Sequence, residues 1–124
     1  MPKKVLVCDD ELYILQAVGR VVSEEGYPVI TAEDGETALQ LARAELPDLV
    51  LLYIMMPKMN GLEVCRALKS DPATARIHII LLTAMGQERD MQEGIQCGAD
   101  EYMTKPFSSR KLRKKLHDLL DAIP

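Results

Sequence analysis

The 124 residues predict an α/β domain, a doubly wound parallel sheet with helices on both faces. Three observations lead there. Five short apolar runs alternate with five segments of helical periodicity, and the connections between them are short. The run Leu49-Val50-Leu51-Leu52, held between Pro47 and Pro57, is apolar without alternation, as suits a strand buried on both faces. Right-handed crossovers between parallel strands then leave few topologies open. No internal repeat, linker or low-complexity tract interrupts the pattern, so residues 1–124 read as one domain.

In chain order, Val5 to Cys8 form a first strand that runs into Asp9-Asp10-Glu11. Leu12, Leu15, Val18, Val21 and Val22 recur at helical spacing until Gly26 stops the helix. Val29 to Thr31 make a second strand. Asp34-Gly35 opens a helix with Ala38, Leu39, Leu41 and Ala42 on its inner side, closing near Pro47. The third strand is the central apolar run, with Tyr53 at its C-terminal end. Asn60 followed three residues later by Glu63 is a helix-start signal, and Asp71-Pro72 ends that helix. Ile77 to Leu82 predict a fourth strand ending at Thr83-Ala84, with His78 as a strand-entry residue. A helix over 87–96 closes at Gly98, Glu101 to Met103 make a short fifth strand, and a last helix spans Ser108 to about Ala122.

Composition narrows the function. With one Phe and no Trp, the core must be built from aliphatic side chains and Met. A net charge of −4 lacks the basic footprint of generic nucleic-acid binding. Cys8, Cys65 and Cys97 are far apart, odd in number and without CxxC spacing, which predicts reduced buried thiols and a cytoplasmic setting. No apolar run approaches the roughly 18 residues of a membrane span, and Met-Pro-Lys-Lys leads straight into a strand rather than a signal sequence.

A parallel sheet collects its strand C-termini along one edge, where α/β folds place ligands. That edge gathers Asp9 and Asp10 after strand 1, Tyr53 at the end of strand 3, Thr83 after strand 4 and Lys105 past strand 5. Adjacent carboxylates repel unless a cation offsets them. Mg²⁺ held through one or two carboxylates, water and phosphate oxygens is one answer, and Lys105 is another. Taken alone, the acidic run caps the first helix equally well. A hydroxyl and an ammonium arriving from two further strands favour a phosphoryl-handling site.

The acidic pair Asp9-Asp10, the strand-turn from Asp48 to Pro57, Asn60-Gly61, Thr83-Ala84, Gly98-Ala99-Asp100, Tyr102 and Lys105-Pro106-Phe107 stand in order across nearly the whole chain. In this the chain resembles the receiver domains of bacterial two-component response regulators, the CheY-like family. The resemblance implies a flavodoxin-like (βα)5 fold with strand order 2-1-3-4-5. It implies that Asp10 is a direct Mg²⁺ ligand, that Asp9 acts mostly through water and that the backbone carbonyl of Met55 completes the protein ligands. It gives Thr83 and Lys105 the oxygens of the phosphoryl group, makes Thr83 and Tyr102 the switch, and makes Lys105-Pro106 a cis peptide. Partners by resemblance are a sensor histidine kinase or phosphotransfer protein, and an output partner or second copy on the face made by the helix over 87–96, strand 5 and the last helix. The family is one of signalling modules rather than enzymes.

Tyr53 departs from the family, which has its phosphoacceptor aspartate at that place. A phenol with a reference pKa of ~10 costs about 4 kcal/mol to ionise at pH 7. Its ring is also too long to leave a phosphoryl group between Thr83 and Lys105. Loss of the carboxylate removes a negative ligand, so Mg²⁺ is expected to bind more weakly. The expectation is a receiver that acts by protein–protein interaction with its usual phosphorylation disabled, either a natural pseudo-receiver or a working receiver into which the tyrosine was introduced. The alternative keeps phosphorylation and moves it to Asp9, Asp10 or Tyr53.

The last helix carries Arg110, Lys111, Arg113, Lys114 and Lys115 over an inward row of Leu112, Leu116, Leu119 and Leu120. A solvated basic face is expected, and Asp100 and Glu101 beside it would suit a charge-paired dimer. It is not read as DNA-binding, and the chain is expected to be a stand-alone receiver or a domain of a longer protein. Met55, Met56, Met59, Met85 and Met91 sit on loops around the edge, where they fill gaps or meet partners. A phosphate loop, an Asp-x-Asp pair and a Gly-Lys-Ser/Thr signature are all absent, which excludes flavodoxins, haloacid-dehalogenase-type phosphatases and P-loop enzymes.

Overall fold

The computed structural model describes residues 3–84, 97–105 and 108–122, with Ala84 and Lys105 given by their backbone alone. Within these residues the elements run β1 (Val5–Cys8), α1 (Leu12–Glu24), β2 (Val29–Ala32), α2 (Gly35–Glu45), β3 (Leu49–Tyr53), α3 (Gly61–Ser70), β4 (His78–Ala84), β5 (Glu101–Lys105) and α4 (Ser109–Leu120). The helix expected over 87–96, Met85 and Met91, and the Pro106-Phe107 stretch lie outside the described residues.

All strands pair in parallel, in the order β2-β1-β3-β4-β5. The apolar run of β3 is central and fully buried from Leu49 to Leu52. Alternation along the strands divides the core in two. Leu6, Cys8, Val50, Leu52, Ile79 and Leu81 face α2 and α3. Val5, Val7, Leu49, Leu51, Ile80, Leu82 and Met103 face α1 and α4.

Helix ends follow local chemistry. Asp34 accepts from the Thr37 amide (2.8 Å), Asn60 from that of Glu63 (3.0 Å), and Ser108 from that of Lys111 (3.1 Å). Each occupies one of the free N–H groups at a helix start. Gly26 ends the α1 turn at a φ of 92°, a conformation that costs other residues energy.

Three expectations change. Leu12 belongs to the helical stripe by spacing, yet it is exposed in the first turn of α1. β4 begins at His78 and continues through Thr83 and Ala84. β5 extends to Lys105, because Thr104 and Lys105 find ladder partners in Thr83 and Ala84.

Candidate functional site

The site lies where β1, β3 and β4 end. β1 pairs with β3 through Cys8 and Leu52, which brings Asp9 and Tyr53 to the same level one residue further on. Asp9 is fully buried. Its amide donates to the carbonyl of Ala32 (3.1 Å), and its Oδ1 accepts from the Glu11 amide (3.0 Å). A backbone N–H bonded to a buried carboxylate offsets part of the cost of burying its charge. Asp10 is exposed. The pair is therefore asymmetric, with one carboxylate set in the fold and the other facing solvent.

Tyr53 is half-buried and packs against both halves of the core, so the ring fills the strand end. It pairs with Leu82, and the next residue of β4 is Thr83, itself buried. The Ile54 amide donates to the Leu82 carbonyl (3.0 Å), closing β3 onto β4 at this point. Lys105 reaches the same edge through the last β4–β5 pair, Ala84 with Lys105. Its ammonium, and the peptide to Pro106, lie outside the described atoms. Asp9, Asp10, Tyr53 and Thr83 are thus brought to one edge as the sequence implied.

The loop after β3 is shaped by close backbone approaches. A Cβ on Gly61 would lie 2.5 Å from the Tyr53 carbonyl oxygen, so only glycine lets α3 start against the strand end. The Gly61 amide donates to the Ile54 carbonyl (2.8 Å). Lys58 takes a φ of 68° in this loop, and its ammonium pairs with Asp34 (3.7 Å). The Thr37 backbone N–H, then the Thr37 side chain, Lys58 and the Glu36 N–H, hold the Asp34 carboxyl below its ordinary range against partial burial. These contacts seat the Met55 backbone at the rim, with its side chain exposed, while Met56 is buried and Met59 half-buried.

Tyr102 is half-buried on β5, opposite Leu81. Burial, then the thiols of Cys97 and Cys65, push its phenol above its ordinary value. All three cysteines are buried and unbridged, as their spacing suggested. Asp100 pairs with Lys69 (2.9 Å), and Glu101 with Lys115. The acidic half of the expected dimer contact therefore already has partners inside the chain. Arg110, Lys111 and Lys114 are exposed and make no ion pair among the described residues.

Sequence reasoning missed two features. Leu12 and Tyr13 stand exposed at the start of α1, shortly after Asp10 in the chain. Tyr13 falls off the helical stripe, which was the available signal. Lys69 has its ammonium at 3.0 Å from the Ala75 carbonyl and 2.7 Å from that of Ile77, besides Asp100. Nothing local marks that lysine.

Among the described residues, no three His, Cys, Asp or Glu side chains converge to hold a metal. Asp9 and Asp10 are the carboxylates at the end of β1, and two carboxylates with water could hold Mg²⁺. Among the described residues, no helix is long and apolar enough to cross a membrane.

The response regulator receiver domain model matches residues 5–117. The chain is 44% identical over 120 residues to the alkaline phosphatase synthesis transcriptional regulatory protein PhoP of Bacillus subtilis, covering 97% of this chain and 49% of that protein. It is 40% identical over 119 residues to the response regulator PleD of Caulobacter vibrioides, covering 96% and 26%. Thus the chain spans half or less of the length of these curated relatives. Among solved structures, Vibrio cholerae chemotaxis protein CheY4 superposes with a TM-score of 0.89 at 33% identity, covering 96% of this chain and 99% of that one. A response regulator of Chloroflexus aurantiacus superposes with a TM-score of 0.91 at 30% identity, covering 98% and 99%.

Proposed function

The chain belongs to the response regulator receiver domain family of two-component signalling, and on that premise we propose that it is a receiver whose phosphoacceptor is replaced by Tyr53, and that it signals by binding. One observation carries the reading. Tyr53 is the last residue of β3, level with the buried Asp9 and one residue from the level of Thr83. It fills the place where the family has its aspartate. A neutral phenol there has no oxygen ready to attack phosphorus at neutral pH.

Asp9, Asp10 and the Met55 carbonyl would hold Mg²⁺, more weakly for want of a third carboxylate. The ion would supply charge to a phosphoryl group, with Thr83 and Lys105 as its other contacts. Thr83 and Tyr102 would then answer to the Tyr53 ring instead of to phosphate. Exposed Leu12 and Tyr13, which follow the acidic run at the start of α1, suit docking of a histidine kinase or phosphotransfer protein. Arg110, Lys111 and Lys114 suit an output partner with acidic groups, since Asp100 and Glu101 are engaged within the chain. Three unbridged thiols fit a cytoplasmic setting.

Incubation with Mg²⁺ and acetyl phosphate, followed by intact mass measurement, tests the reading. The expected result is an unchanged mass. A phosphate mapped to Asp9, Asp10 or Tyr53 would replace this reading with the alternative, a receiver still phosphorylated at another residue.

A further inference from the structure

Away from the site, Cys65 on α3 and Cys97 before β5 meet in the interior. The Cys65 thiol donates to the Cys97 carbonyl oxygen (3.7 Å). Both belong to the core half beneath α2 and α3. Their approach is braced from two sides. Lys69, one helical turn beyond Cys65, pairs with Asp100, three residues beyond Cys97. Asp100 also accepts from the Ile79 amide (2.8 Å), which fixes the 97–100 turn against β4. Gly98 takes a φ of 96° and faces the Lys69 stem. Neither thiol has a part in the phosphoryl chemistry of the edge.

We propose that Cys65 and Cys97 form a dithiol modification site, which hydrogen peroxide converts to a reversible disulfide joining α3 to the turn before β5. Cys97 reacts first, its sulfur attacking the peroxide, because it is 5% exposed and Cys65 is not exposed at all. Its sulfur takes one peroxide oxygen as the O–O bond breaks, giving a sulfenic acid and a water molecule. The Cys65 sulfur then attacks the Cys97 sulfur, the S–O bond breaks, and the departing hydroxide leaves with the Cys65 proton as a second water. Two thiols lose two electrons in all, and the peroxide is reduced to two waters. The second step needs no solvent access to Cys65, whose thiol already touches the Cys97 residue. Burial, ahead of other causes, holds the Cys65 thiol well above its usual range, so the reaction is slow at neutral pH and faster in alkali. A small dithiol reverses it by exchange. Tyr102 packs against the same core cluster, so the bridge alters the surroundings of that ring.

The test treats the folded chain with hydrogen peroxide and reads intact mass, free-thiol count and linked peptides. The expected result is a loss of two hydrogens, a fall from three free thiols to one, and a link between the Cys65 and Cys97 peptides that dithiothreitol removes. The thermal midpoint should rise by several degrees and the Tyr102 amide signal should move. Cys8→Ala should react as the parent does. Cys65→Ala should form no link and should leave a sulfenic acid on Cys97 that dimedone traps. Three thiols persisting in the folded chain would overturn the proposal. So would a bridge involving Cys8, a bridge between chains, or one that forms only in urea.

Discussion

At Tyr53 a single side chain decides what the site can do. Its ring is half-buried against both core halves beside the buried Asp9 carboxylate. Exchanging the ring for a carboxylate would remove packing and add repulsion. Tyr53→Asp is therefore expected to lower stability by about 1–2 kcal/mol in EDTA, or roughly 3–8 °C in the melting midpoint. Added Mg²⁺ should return part of that loss, and a variant that melts higher than the parent in EDTA would contradict this view of the pocket. Lys69 is the second decisive residue. Its ammonium is mostly buried on two carbonyls and Asp100, so Lys69→Met leaves all three short of a donor. A loss of about 2–4 kcal/mol is expected in urea unfolding. Tyr53 was legible because its neighbours in sequence carry the family pattern. Lys69 was not, since its partners at Ala75, Ile77 and Asp100 meet only after the chain folds.

Element boundaries were legible wherever a local signal marks them. Asp34, Asn60 and Gly26 stand at the starts and stop that their chemistry suggests. The extensions of β4 and β5 were not legible, because a strand end depends on its ladder partner and Thr83 needs Thr104. Leu12 misled for a similar reason, since periodicity cannot tell that a first-turn residue stays exposed. Two elements carry predictions. Gly61→Ala would push α3 off the Tyr53 carbonyl, and a loss of about 1–3 kcal/mol is expected by chemical denaturation. An unchanged midpoint would mean that the approach is not held. The second concerns the end of α4. His117 contacts Glu25 (2.7 Å) from the end of α1, Asp121 (3.2 Å) on its own helix, and Tyr27 (3.1 Å), while Arg113 reaches Glu24 and Glu25 nearby. Bonding to Glu25 first, then Asp121, raises the His117 pKa above its ordinary 6.5. The stabilisation is therefore complete below that value and is lost as pH rises through the folded value. Between about pH 5 and pH 8, the melting difference between the chain and His117→Gln should be largest in acid and shrink in alkali. A constant difference would show that the imidazole charge does not matter there.

For the molecule as a whole, strand order assembles the site from residues scattered between Asp9 and Lys105. Continuous burial in β3 and short connections indicated a two-sided parallel sheet, whereas the order β2-β1-β3-β4-β5 came from resemblance, since pattern alone leaves several orders open. The two core halves separate a helix pair under the loop after β3 from a pair that joins α1 to α4. Both close on the edge where Asp9, Tyr53 and Thr83 meet. The central claim is that this scaffold is competent and lacks only its acceptor. The most direct test gives Tyr53→Asp Mg²⁺ and acetyl phosphate, then records intact mass and the amide signals from Thr83 to Lys105. The account expects one acid- and base-labile phosphate at residue 53, with shifts in those signals that the Tyr53 chain does not show. A variant that gains no phosphate would contradict it, placing the loss of function deeper in the site than one residue.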